Sequence, residues 1–227
     1  MIQCYTFYKE LNMSDDFNEI FNEISVLLQK GKAKDIVPLV EKALENGAPP
    51  ADILEKALMD GMNIIGSKFK RNEVFVPEVL IAARAMNKAT ETLKPHLAKA
   101  GVNPVGKAII CTVKGDLHDI GKNLVKMMIE GKGIEVEDLG VDCETQSVVD
   151  KIKESDAKVL CLSALLTTTM AVQKDVINAL KEAGVRDKVK VMVGGAPVTQ
   201  GFADEIGADA YTPDAATAAE VCRAFYD

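Results

Sequence analysis

The run Ala108-Ile109-Ile110-Cys111-Thr112-Val113, followed by Gly115-Asp116-Leu117-His118-Asp119-Ile120-Gly121 and then by Leu124, Val125, Met127 and Met128, decides how the chain is read. A short continuous apolar run bounded by turn residues reads as a buried strand, and the later apolar residues recur at helical steps. Between strand and helix lies a loop rich in Asp and Gly that holds one of the chain's two histidines. In an open α/β sheet, cofactors bind at such loops on the carboxyl edge of the strands. A histidine two residues after a carboxylate also invites a metal reading.

The rest of the second half repeats this pattern. Apolar runs predict strands at 108–113, 136–139, 159–162, 189–193 and 210–211. Helical segments fall between and after them, at about 120–131, 145–156, 168–184, 199–206 and 214–225. Alternation with short connections predicts a flavodoxin-like (Rossmann-like) sheet of five parallel strands, covered by helices on both faces. The loop after the first strand should then meet Ser163–Thr169, Gly194-Gly195-Ala196-Pro197 and Thr212-Pro213-Asp214-Ala215 at one edge.

The first half reads as helices only. Ser14-Asp15-Asp16 offers an N-cap for a helix carrying Phe17, Ile20, Phe21, Ile24, Leu27 and Leu28, and Gly31 ends it. A second helix carries Ile36, Val37, Val40, Ala43 and Leu44; a third places Leu54, Leu58, Met62 and Ile65 on one face. A fourth begins after Phe75-Val76-Pro77-Glu78 and carries Val79, Ala83, Met86, Thr90, Leu93 and Leu97. Short loops between four helices predict an antiparallel bundle over 13–99. Lys99–Gly106, with its Gly and Pro and a change of pattern on either side, marks the boundary to an α/β domain over 106–227. Residues 1–12 lack periodicity and read as a loosely attached segment, with Met13 a natural or alternative start. Phe69 and Phe75 lie outside the helical stripe; spacing favours end plugs of the bundle over a hydrophobic lid. His96, beside Pro95, reads as a surface residue.

Composition excludes several classes. A net charge of −7 with no Lys/Arg block argues against a nucleic-acid partner. No apolar run reaches the roughly 18 residues of a membrane span, and no signal peptide is read at the start, so a cytoplasmic protein is expected. The five cysteines are scattered without a Cys-x-x-Cys pair, which argues against a zinc or iron–sulfur cage and for a reduced compartment. Taken singly, each candidate site residue has a plain structural reading: Asp116 as a helix cap, His118 as a polar loop residue, Ser163 as a satisfied hydroxyl, Gly194-Gly195 as an ordinary turn. No Gly-x-Gly-x-x-Gly or Walker-type loop is present, and no Lys follows the fourth strand to complete a phosphate receiver.

Taken together, the residues are more specific. Asp-x-His-x-x-Gly (Asp116, His118, Gly121), then Ser-x-Leu (Ser163, Leu165), then Gly194-Gly195, resembles the cobalamin-binding domain that holds B12 base-off and histidine-on. Leu58-Met59-Asp60-Gly61-Met62-Asn63-Ile64-Ile65-Gly66, with Phe69 and Phe75-Val76-Pro77, resembles the helical cap of cobalamin-dependent methionine synthase. The same pair of domains makes up the corrinoid proteins of anaerobic methyltransferase systems. The resemblance covers nearly everything from Met13 to Asp227 and leaves no segment for a substrate-activating domain.

The resemblance implies a cobalamin or related corrinoid cofactor with His118 Nε2 as the lower ligand of cobalt. Asp116 would accept from the other ring nitrogen, and Thr169 would end the relay with a hydroxyl where methionine synthase has a serine. That relay would take up a proton when Co(I) releases its axial ligand. Gly115, Asp119 and Gly121 belong to the loop; Ser163, Leu165, Thr167, Gly194, Gly195 and Ala215 would line the slot for the nucleotide tail. Glu55, Phe69 and Val76 match cap positions near the methyl group.

The function implied is a methyl carrier in one-carbon metabolism. It would receive methyl on Co(I) from a substrate:corrinoid methyltransferase and pass it to a second methyltransferase acting on tetrahydrofolate or coenzyme M. A reductive activator would be a third partner. The donor stays open among methanol, methylamines, betaines and methoxylated aromatics. Radical mutases carry a barrel, and the related regulators a DNA-binding module; neither is read here. A cobalamin-dependent sensor or scaffold is the alternative, and a cofactor-free flavodoxin-like interaction domain a weaker one.

Overall fold

The structure, a computed structural model, describes residues 17–227. The chain divides into two compact units, one ending at Asn103 and one running from Pro104 to Asp227. The Ser14–Asp16 cap, the segment 1–12, the Met13 start and Cys4 lie outside the described residues.

The first unit is helical. Helix α1 (Asn18–Gln29) buries Phe21, Ile24, Ser25 and Leu28 at steps of three and four. Gly31, with φ +66°, ends it in the left-handed conformation, and a Cβ there would lie 2.6 Å from the Ile81 side chain. Glycine is required on both counts. Helix α2 (Ala33–Glu45) buries Ile36, Val40 and Ala43.

Helix α3 joins an α-helical turn (Pro50–Asp52), a π-helical segment (Ile53–Met59) and an α-helical stretch (Asp60–Lys70). The π-helical winding changes which side chains face inward: Ile53, Ala57 and Leu58 are buried, while Leu54 is only half-buried. Even 3.6-residue spacing had placed Leu54 on the buried face, but i→i+5 hydrogen bonds widen the turn and slide that face. Leu58, Met62 and Ile65 are buried as expected. Helix α4 (Val76–Lys99) follows, with Phe75 as its N-cap and the Phe75 N–H donating to Glu78 Oε2 at 3.0 Å. Phe75 is 64% exposed, so it does not plug the bundle; Phe69 is half-buried. His96 is exposed.

The second unit alternates strand and helix: β1 (Gly106–Thr112), α5 (Ile120–Glu130), β2 (Ile134–Asp138), α6 (Thr145–Glu154), β3 (Val159–Ser163), α7 (Thr167–Glu182), β4 (Lys190–Gly194), α8 (Gln200–Ile206), β5 (Ala210–Tyr211) and α9 (Ala215–Ala224). All pairs are parallel, in the order β2-β1-β3-β4-β5. The near-continuous apolar runs of β1, β3 and β4 are buried, as strands covered on both faces require. Cys111 and Cys161 lie buried within this core. Because β1 and β3 are adjacent while their following helices lead to opposite sides, the order reverses between them. Thr112 and Ser163, the last residues of these strands, are register partners at that point. A crevice for ligands opens there by construction.

Candidate functional site: a histidine braced across the switch point

The β1–α5 loop turns at Gly115 in a left-handed conformation, φ +81°, and then sends Asp116 inward and His118 outward. Asp116 is fully buried, whereas the His118 side chain is 51% exposed. A bare carboxylate in that position would be strongly disfavoured. Here four donors surround it. Oδ1 accepts from the His118 backbone N–H at 3.0 Å and pairs with His118 Nδ1 at 2.7 Å. Oδ2 accepts from the Leu165 N–H at 2.7 Å and from the Thr169 hydroxyl at 2.7 Å.

Burial alone would raise the Asp116 pKa. The backbone donors of His118 and Leu165, the Thr169 hydroxyl and the His118 ring outweigh it and hold the carboxyl well below the usual carboxylate range. The tautomer of His118 follows. An ionised carboxylate has no proton to give, so Nδ1 carries the hydrogen, and in the neutral ring that leaves the lone pair on Nε2. Among the described residues Nε2 makes no hydrogen bond. The arrangement is an imidazole oriented by a carboxylate, with Nε2 turned away from it and left to coordinate.

Asp116 thus ties the β1 loop to the β3 loop across the switch point, and the helix-cap reading does not hold for it. The N-cap of α5 is Asp119, whose Oδ2 accepts from Asn123 Nδ2. Thr169 is brought directly onto Asp116, and Leu165 contributes its backbone amide. Ser163 and Gly194 are half-buried register partners at the ends of β3 and β4. Thr167 is exposed in the first turn of α7, and Ala215 is buried in the first turn of α9. In the helical unit, Glu55 is exposed and lies in the π-helical segment, and Val76 is half-buried.

Two residues of this neighbourhood escape a reading of the sequence. The sequence pattern does not single out the β2–α6 loop, yet β2 flanks β1, so that loop must lie against the histidine loop. Asp142 in it, with φ +53°, accepts from the Gly115 N–H through Oδ1 at 2.8 Å and donates its own N–H to Asp116 O at 3.0 Å. The Gly140-Val141-Asp142 turn signal was the available clue. The other is Thr112, whose hydroxyl donates to the His118 carbonyl at 2.9 Å.

The glycines separate into two kinds. A Cβ on Gly195 would sit 1.8 Å from the Ala164 carbonyl oxygen, and its φ is +126°. Packing of this unit explains Gly195 without any ligand. A Cβ on Gly121 would meet no protein atom within 4 Å. Gly195→Ala is therefore expected to destabilise the protein by about 3 kcal/mol through backbone overlap and strain. Gly121→Ala is expected to leave the ligand-free melting temperature unchanged or raised. Thermal melts of the two variants check this contrast.

The donor set favours a prosthetic group over a bare ion. Among the described residues, no three His, Cys, Asp or Glu side chains gather to hold a metal. One imidazole suits a metal that arrives with its other ligands, as a corrinoid does. Apolar side chains are exposed beside it, with Leu117 at 70% and Ile120 at 76%, and Leu165 and Leu166 also exposed. These residues fit a large, partly apolar ring, and open space at Gly121 fits an appended group.

A doubly wound parallel sheet with a carboxylate-oriented histidine at its switch point defines a cofactor-binding α/β domain. Two family models, both described as B12 binding domains, match this chain, over residues 106–222 and 20–94. The chain belongs to the B12-binding family, and its cofactor is cobalamin or a related corrinoid. Dimethylamine corrinoid protein 3 of Methanosarcina acetivorans is 42% identical over 203 residues, 89% of this chain and 95% of the relative. The methanol:cobalamin methyltransferase complex MtaBC from Methanosarcina barkeri contains a chain 31% identical, with a TM-score of 0.83 over 92% of this chain and 80% of that one. A cobalamin-binding protein from Desulfitobacterium hafniense is 31% identical, with a TM-score of 0.75 over 90% and 98% of the two chains.

Proposed function

We propose that this chain is a corrinoid methyl carrier serving a methylamine-class donor. The observation that carries the reading is the half-exposed His118 imidazole, whose Nδ1 proton is held by buried Asp116 so that Nε2 is free to coordinate. When bound, the corrinoid would supply the cobalt that accepts and gives up the methyl group. The residues of this chain bind, orient and tune it.

His118 would hold the cobalt through Nε2, Asp116 sets its tautomer, and the Thr169 hydroxyl, which also lies 2.9 Å from the Leu166 carbonyl, terminates the relay. Gly115, Asp119 and Gly121 shape the loop around the ligand. Ser163, Leu165, Thr167, Gly194 and Ala215 line the site of the nucleotide tail, and Gly195 permits the turn that places Gly194 there. Glu55, Phe69 and Val76 would serve the methyl group. Their exposure supports this, since none of the three is committed to the bundle core. Residues 13–99 then form the cap domain and 106–227 the corrinoid domain.

Partners follow from the chemistry. A methylamine:corrinoid methyltransferase charges the carrier, and a second methyltransferase discharges it to tetrahydrofolate or coenzyme M. A reductive activator recovers the oxidised state. The names of the dimethylamine, monomethylamine and trimethylamine corrinoid proteins, at 42–43% identity, support the donor class over methanol. No helix among the described residues is long and apolar enough to cross a membrane, and the four described cysteines are unpaired, which supports a cytoplasmic carrier.

The test is single-turnover methylation of the reconstituted Co(I) protein by methylamine:corrinoid methyltransferases, each supplied with its amine. Rapid formation of the methylated cofactor with one of them is expected. Methylation only by a methanol:corrinoid methyltransferase would overturn the donor class, and inertness with every partner would favour a sensor.

A further inference from the structure

The last residue of β1 is more than a strand end. Thr112 is fully buried, and its backbone groups are both engaged by the β2–α6 loop: its N–H donates to Gly140 O at 3.0 Å, and its carbonyl accepts from Cys143 N–H at 3.1 Å. Its hydroxyl reaches across the histidine loop and donates to the His118 carbonyl at 2.9 Å. The other side of His118 is gripped by Asp116, through the backbone N–H and ring Nδ1. The peptide groups on both sides of the His118 Cα are therefore anchored, one by Asp116 and one by Thr112. Together they fix the backbone torsions of His118 and so the direction of its Cα–Cβ bond. The ring contact to Asp116 then fixes the imidazole plane.

Asp116 alone cannot do this. Both of its bonds to His118 lie on the amino-terminal and side-chain sides and do not reach the peptide group that follows. The His118 carbonyl also precedes the first turn of α5, where the first backbone bond runs from Asn123 N–H to Asp119 O at 2.7 Å. It has no helical donor to hold it, and the hydroxyl of Thr112 supplies one.

We propose that Thr112 is a positioning residue for the axial histidine: its hydroxyl holds the His118 carbonyl and thereby the aim of Nε2. This rests on the reading of His118 as the cobalt ligand. Valine is nearly isosteric with threonine and keeps the β-branched strand end, so Thr112→Val removes the hydrogen bond with little change of packing. The released carbonyl belongs to a loop that water can reach.

The experiment compares wild type, Thr112→Val, Thr112→Ser and His118→Ala, each as the full chain reconstituted with cobalamin. Three readouts are taken: the ligand-free melting temperature, the corrinoid dissociation constant, and axial nitrogen coordination in the Co(II) spectrum. Thr112→Val is expected to fold normally, to bind about tenfold more weakly, as losses of groups that orient a metal ligand do, and to show a reduced histidine-ligated fraction. Thr112→Ser, which restores a hydroxyl, is expected to return both properties toward wild type. Wild-type affinity and spectrum in Thr112→Val would overturn the proposal. So would a Thr112→Val chain that loses the ligand-free fold, since that assigns the residue to stability. If His118→Ala itself keeps the wild-type spectrum, the ligand reading fails instead, whatever Thr112→Val does.

Discussion

Asp116→Ala is expected to lower stability by about 3–5 kcal/mol and to abolish histidine-on binding of the corrinoid. The effect follows from what surrounds the carboxylate. All of its partners are donors: two backbone N–H groups, the Thr169 hydroxyl and the His118 ring. Removing the acceptor leaves the His118 and Leu165 backbone N–H groups without their partner against a buried position, at about 1–3 kcal/mol each. For a chain of this size, that corresponds to a fall in melting temperature of roughly 10 °C.

Asp116→Asn is not a rescue. Turned toward His118, its NH2 faces two donors, the backbone N–H and Nδ1–H; turned the other way, it is accepted by the Thr169 hydroxyl, which can donate to the Leu166 carbonyl, but it still opposes the Leu165 N–H. The His118 side can relax only by moving the ring proton to Nε2, which blocks the lone pair needed for coordination. The pH dependence has a definite sign. The folded-state pKa of Asp116 is depressed, so its contribution is present above the unfolded value of about 4 and is lost as the pH falls into the acid range. The stability gap between wild type and Asp116→Ala should be flat above about pH 5 and narrow in acid. Chemical denaturation at a series of pH values measures it.

How far the sequence carried this account depends on the range of the interaction. The β1–loop–α5 unit is local: a strand, a glycine turn and a helix follow one another, and both Asp116 and His118 lie within it. Thr169 was placed by its resemblance to a relay residue and proves to touch Asp116 directly. Asp142 and Thr112 were not legible. Asp142 acts because β2 lies beside β1, a consequence of strand order that periodicity does not encode. Thr112 reads as a β-branched strand residue, and only its three-dimensional reach to the His118 carbonyl distinguishes it.

Leu54 and Phe75 illustrate the opposite failure. Even spacing assumed one helical pitch through residues 50–65, whereas the π-helical segment from Ile53 to Met59 breaks it. Spacing favours Phe75 as an end plug of the bundle, but it caps a helix with its backbone while its ring stays exposed. For Gly195 the plain reading was sufficient: the neighbouring Ala164 carbonyl demands a glycine there.

The central claim is that one imidazole, aimed by Asp116, is the protein's ligand to cobalt. His118→Ala tests it with little risk to the fold, because the side chain is half exposed and Asp116 keeps three of its four donors. The decisive measurement is the electron paramagnetic resonance spectrum of the reconstituted Co(II) protein. The account predicts axial nitrogen splitting in wild type and its absence in His118→Ala, with corrinoid affinity reduced at least tenfold, about 1.4 kcal/mol. Unchanged nitrogen splitting in His118→Ala would contradict it.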